Sequence, residues 1–256
     1  MIVILGSVRG SPGVTSWSLL LAAAWPVESG TERVVLEADA AGGVLGARYG
    51  WGVEPGLASL AAALRRNEHN VDVGEHGREV VPGLFVVPAP ETAERTSAVL
   101  RACSDELAER LANDSRVWFV DVGRLDERAQ MMGFVERAAS TLLVSSGRPE
   151  DVVSLRSRAD AVRARGTAFL GLVVAAPCQY GRGELLEFGG FDYVWAPGTT
   201  DDLRDVVAGA LSDSRRARRS LVWRHALDLA VDVSARLAGQ DQLDDDRTEA
   251  RAGHDR

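Results

Sequence analysis

Short apolar runs alternate along this chain with longer segments whose apolar positions recur at helical spacing. The runs occupy residues 2–5, 34–37, 84–87, 117–120, 141–144, 169–174 and 193–195. Helix-length segments fill the intervals at 13–25, 57–66, 91–112, 127–138, 150–165 and 201–211. Within 91–112, Val99, Cys103, Leu107 and Leu111 follow one another at four-residue steps, which lays them along one helix face. Apolar runs separated by helices predict βαβ units and a parallel sheet. Strands that are apolar throughout predict a sheet covered on both faces. The expected fold is α/β: a doubly wound, mostly parallel sheet of about seven strands with helices on both sides.

No internal repeat and no Pro/Ser-rich linker divides the chain, so residues 1–238 read as one domain. Residues 214–237 read as one long helix that opens with Arg215, Arg216, Arg218 and Arg219. The remainder, 239–256, is charged and nearly free of large apolar side chains. It buries too little surface to offset its ordering entropy, and a disordered tail is expected.

Composition narrows the picture. At 256 residues, 46% hydrophobic and 26% charged, the chain is of ordinary globular type and large enough to bury a substantial core. No apolar run reaches the length of a bilayer span, and the N-terminus lacks the basic region of a signal peptide. Cys103 and Cys178 stand alone, without metal-ligand spacing, as idle thiols in a reducing compartment do. A cytoplasmic protein is expected. The net charge of −8 argues against wrapping by nucleic acid. Lysine is absent, so all 29 basic side chains are arginine.

The first apolar run leads into Gly6-Ser7-Val8-Arg9-Gly10-Ser11-Pro12-Gly13-Val14-Thr15-Ser16 and then a helix. A strand, a glycine-rich loop and a helix start make an anion site, because free N–H groups converge where the helix dipole is positive. The stretch from Arg9 to Trp25 resembles the phosphate loop of the ParA/MinD family of P-loop ATPases, K-G-G-x-G-K-[ST]-[ST], followed by a Leu/Ala-rich helix. Gly10 and Gly13 match, and Ser11 stands for the second glycine. Arg9 falls on the signature lysine that reaches phosphate across the family's dimer interface, and Thr15, followed by Ser16, on the hydroxyl that binds Mg²⁺. Val14 falls on the general P-loop lysine, which bridges the β- and γ-phosphates, and valine cannot do that.

Two further segments are similar to the same family. Residues 34–43 (VVLEADAAGG) resemble its second strand and first switch. Asp39 matches the acidic residue that positions or activates water, while Glu37 replaces an aspartate. Residues 117–124 (VWFVDVGR) resemble the Walker B strand, whose aspartate, here Asp121, holds Mg²⁺ through water. The resemblance covers about the first half of the chain and implies ATP or ADP with Mg²⁺, held by Arg9, Gly10, Ser11, Gly13, Val14, Thr15, Ser16 and Asp121, with Asp39 as the catalytic candidate. It also implies a homodimer that serves a protein partner in a localisation, pilus or secretion machine. The pilus and secretion branch is nearest in type, since it tolerates degraded phosphate loops.

Other readings compete. Glu37 ends the second strand where a Rossmann fold binds the ribose of NAD, but the loop is GxxxGxxG rather than GxGxxG. Arg156, Arg158, Arg163 and Arg165 share one helix, diluted by Asp151 and Asp160; a solvated face is expected rather than a DNA-binding one. Asp228 and Asp232 interrupt the long C-terminal helix, which argues for packing rather than membrane anchoring. His69 and His76 lie in a charged segment that reads as a surface loop. The favoured function is a nucleotide-binding positioning or assembly scaffold with weak or lost hydrolysis. The alternatives are an active ATPase using Arg9 for the missing lysine, and an interaction module that binds no nucleotide.

Overall fold

The computed structural model describes residues 1–10, 12–26, 31–52, 54–66, 71–125, 131–196, 203–212 and 214–254. The chain opens with β1 (Ile2–Ser7), α1 (Val14–Ala24), β2 (Arg33–Glu37), α2 (Leu45–Tyr49), α3 (Leu57–Arg65) and α4 (Val73–His76). A hairpin of β3 (Arg78–Val81) and β4 (Leu84–Val87) follows, then α5 (Ala93–Ala112), β5 (Val117–Arg124), α6 (Met132–Arg137) and β6 (Ser140–Ser145). The last third holds α7 (Pro149–Arg163), β7 (Leu170–Val174), α8 (Arg182–Gly189), β8 (Tyr193–Trp195), α9 (Leu203–Leu211), α10 (Arg215–Arg218) and α11 (Leu221–His254).

The strands form one eight-stranded sheet in the order β3-β4-β2-β5-β1-β6-β7-β8. Only the β3–β4 pair is antiparallel. The pleat divides β1 between two layers. Ile2 and Ile4 join Leu36, Trp118 and Val120 in the cluster covered by α3, α5, α6, α7 and α8. Val3 and Leu5 join Val35 and Phe119 in the cluster covered by α1, α9 and α11. This is the doubly wound arrangement expected from strands apolar on both faces.

Several local expectations are corrected. The sheet gains an eighth strand, β3, whose residues are only partly buried. The expected helix over 214–237 is two: it breaks at Arg219–Ser220, where the Ser220 hydroxyl accepts the Trp223 N–H at 3.1 Å. The backbone of α11 runs from Leu221 to His254. His76 is buried on α4, its Nδ1 3.0 Å from the Ser59 hydroxyl, rather than in a surface loop; His69 lies outside the described residues.

β1 lies between β5 and β6; its crossover runs to β2 on one side, while that of its neighbour β6 runs to β7 on the other. That is the topological switch point, where ligands of open α/β sheets bind beyond the strand ends.

Candidate functional site

The loop after β1 is shaped by glycine. Gly10 and Gly13 have φ of 64° and 95°, left-handed conformations that cost glycine little. Gly13 caps α1, and its carbonyl accepts the Trp17 N–H at 2.9 Å. The helix ends at Ala24 because Trp25 precedes Pro26 and turns extended. A cleft of about 950 Å³ opens above this loop. Gly10, Gly13, Val14, Thr15, Ser16 and Asp39 all line it.

The structure thus brings most of the expected site residues together. Asp121 on β5 lies opposite Leu5 on β1 and opposite Glu37, the last residue of β2. It is fully buried. One carboxylate oxygen, Oδ1, accepts the Gly123 N–H at 3.0 Å, while Oδ2 has no hydrogen-bond partner. The Thr15 hydroxyl is near enough to act on the carboxyl electrostatically without completing such a bond. Burial pushes the Asp121 pKa up to about 7; the Thr15 hydroxyl and the Gly123 amide oppose the rise, and the Glu37 and Asp39 carboxylates add to it.

Asp39 sits half-buried at the cleft, its Oδ1 accepting the Ala41 N–H at 2.8 Å. Burial raises its pKa, while the Ala41 amide and the positive charge of Arg124 pull it back. Gly123 has φ of 59°, and a Cβ there would collide with the Asp39 carboxylate. The ends of β2 and β5 therefore meet through a position that only glycine can fill. The Ser7 hydroxyl donates to the Gly123 carbonyl at 3.2 Å and ties the loop to the same turn.

Two expected residues, Val14 and Arg9, take up other surroundings. Val14 is 5% exposed and belongs to the same apolar cluster as Val3, Leu5 and Trp17, so it offers the cleft methyl groups and no charge. The Arg9 guanidinium turns toward α7, 3.5 Å from the Glu150 carbonyl, and Arg9 is not among the described residues lining the cleft. Ser11 lies outside the described residues. Glu37 is no ribose ligand. It is buried, and its two oxygens accept the N–H groups of Val44 at 2.7 Å, Leu45 at 3.1 Å and Ala89 at 3.0 Å. It ties the segment before α2 and the start of the β4–α5 connection to the sheet.

Sequence reasoning missed the three arginines of the cleft: Arg48 on α2, Arg124 at the end of β5 and Arg204 on α9. They share no spacing, and only the fold brings them to one cavity. Gly13 meets Leu203, which sets the first turn of α9 beside the loop. Away from the cleft, the arginines of α7 are engaged locally: Arg163 with Asp192 at 3.1 Å and Arg165 with Glu136 at 2.8 Å. The apolar face of α11, including Val222, Ala226, Leu229 and Val233, packs into the core. No helix among the described residues is long and apolar enough to cross a membrane.

A switch-point cleft with a glycine loop, a helix start and a buried strand-end carboxylate defines an α/β fold of the P-loop NTPase type. Solved structures agree on the fold. A ParA family ATPase from Chlorobium tepidum TLS superposes with a TM-score of 0.70 at 15% identity, over 90% of this chain and 97% of its own. MinD from Pyrococcus horikoshii OT3, solved with Mg-ADP, gives 0.63 at 15% identity over 91% and 95%. Apo McdA from Cyanthece gives 0.64 at 13% identity over 91% and 98%. No family model and no curated protein matches the sequence. The architecture is that of ParA/MinD-type ATPases, reached by a sequence far from these structures.

Proposed function

We propose that this chain is a ParA/MinD-like nucleotide-binding scaffold for positioning or assembly, with weak or lost ATP hydrolysis. The observation that carries this reading is Asp121, a fully buried carboxylate with one oxygen unpartnered beneath a phosphate-loop cleft. A buried acceptor without a partner costs on the order of 1–3 kcal/mol, and a bound cation with its water shell would relieve that cost. Thr15 and Asp121 fit Mg²⁺, the hydroxyl directly and the carboxylate through water. The ion would supply charge neutralisation between phosphates. The loop amides around Gly10 and Gly13 would hold the phosphate chain, and Asp39 stands at the cleft where a water could be oriented.

Weak hydrolysis follows from Val14. The residue replacing the P-loop lysine is buried among apolar side chains, and the chain contains no lysine to substitute for it. Losing a charge on the transferring phosphoryl group costs several powers of ten in rate, by comparison with the roughly 10³–10⁵ effect of an arginine finger. In this reading the protein works in the cytoplasm as a homodimer, with a protein partner from a pilus or secretion machine.

Calorimetric titration with ATP, ADP and a non-hydrolysable ATP analogue, with and without Mg²⁺, tests the proposal. Mg²⁺-dependent binding with negligible turnover is expected. Turnover at ordinary ATPase rates that disappears in Asp39→Ala would overturn the scaffold reading. Absence of binding at millimolar nucleotide would leave an interaction module.

A further inference from the structure

The whole chain is acidic, with a net charge of −8, yet its phosphate-loop cleft is not. Among the described residues lining it, Arg48, Arg124 and Arg204 oppose the single carboxylate of Asp39; Asp121 lies beneath, fully buried. A cleft lined with more positive than negative side chains concentrates anions there, even on an acidic protein.

The three arginines approach from different elements. Arg48 is exposed on α2, directly after the segment that Glu37 pins through the Val44 and Leu45 amides. Arg124 is exposed at the last position of β5. Its backbone follows Gly123, which is locked against Asp39, and its charge is felt by that carboxyl. Arg204 stands in the first turn of α9, next to Leu203, which meets Gly13 of the loop. Each side chain is long, its backbone is held by the fold, and each residue lines the same cavity. Guanidinium groups stay charged at any physiological pH and bind phosphate oxygens in pairs.

We propose that Arg48 and Arg124, with Arg204 beside them, form the anion clamp of this site and supply the charge that Val14 cannot. Their ligand is a phosphate-chain anion, as carried by a nucleoside di- or triphosphate. The clamp deepens the nucleotide-binding reading and rests on it for the identity of the ligand. It places the positive charge on the strand-end and α2 segments that face the loop, not on the loop itself. Ligand binding therefore holds α2 and the end of β5 together across the phosphates.

The test is calorimetry on the full chain with Mg-ADP and, separately, tripolyphosphate. Arg48→Ala and Arg124→Ala are compared with Arg137→Ala, an exposed arginine of α6 remote from the cleft. All three positions are exposed, so melting temperatures report whether folding is intact. Each clamp variant is expected to weaken Mg-ADP binding about tenfold or more, the scale of a lost charge-assisted contact, while Arg137→Ala binds like the parent. Arg48→Lys and Arg124→Lys should lose less than the alanine variants. If the parent binds Mg-ADP and both alanine variants bind it equally well, the clamp is wrong and the nucleotide reading stands. If the parent binds tripolyphosphate through the clamp but no ADP, the clamp stands and the nucleotide reading falls. If it binds neither at millimolar concentration, both fall.

Discussion

Glu37 and Asp121 are register partners on β2 and β5, two buried carboxylates on neighbouring strands. Glu37 spends both oxygens on amides of its own chain. Asp121 spends one and leaves the other without a partner. Burial raises the pKa of both. The contrast separates two roles at register partners: a satisfied buried carboxylate builds the wall of a cleft, and an unsatisfied one is where, in the proposed reading, a cation and its water would bind.

Breaking the Glu37 side should have the largest effect. Glu37→Ala strands three N–H groups that hold the segment before α2 and the start of the β4–α5 connection. The loss should be about 3–5 kcal/mol, read from chemical denaturation. Glu37→Gln keeps one acceptor and should cost less than the alanine change. Equal stability of Glu37→Ala and the parent would show that this carboxylate is not a tether.

The Asp121 side should respond in the opposite direction. Its folded pKa, near 7, lies above the roughly 4 of an unfolded aspartate. The folded chain therefore holds a proton that the unfolded chain has lost between those values. Stability of the ligand-free protein should fall as pH rises from about 4 to 7 and level off above. The penalty at its limit is on the order of 4 kcal/mol, and the raised pKa values of Glu37 and Asp39 slope the same way. Asp121→Asn should flatten the curve, raise the melting temperature at pH 8 and abolish any Mg²⁺ dependence of nucleotide binding. A melting temperature that rises between pH 5 and 7 in the parent and is unchanged in Asp121→Asn would contradict this.

The two carboxylates also show where sequence reading succeeds. Asp121 stood out because its neighbours are local: an apolar run before it and Gly123 after it. The tethering role of Glu37 was not legible, because its partners, at 44, 45 and 89, include one 52 residues away, and no spacing encodes that. The long buried strands were legible as apolar runs. β3 was not, because an edge strand is half-exposed and its residues mix charge with valine. The helices α2 and α4 are five and four residues long, too short to show a period. The arginines of the cleft were invisible for the same reason as the partners of Glu37: β5, α2 and α9 come together only in three dimensions.

Arg9 should give the smallest effect and so sharpen the comparison from outside the cleft. It is exposed, and its hydrogen bond to the Glu150 carbonyl is long at 3.5 Å. Such a contact contributes within about 0.5 kcal/mol. If charge for the phosphates comes from the cleft walls, Arg9→Ala should leave melting temperature and Mg-ADP affinity within about twofold of the parent at protein concentrations where the chain is monomeric. If Arg9 instead stands in for the missing lysine, the same variant should lose affinity about as severely as Arg124→Ala. Titrating both variants at low and high protein concentration also separates an effect within one chain from one across two copies. A deficit of Arg9→Ala that appears only at high concentration would place its guanidinium in a second copy's cleft, beyond the reach of its own.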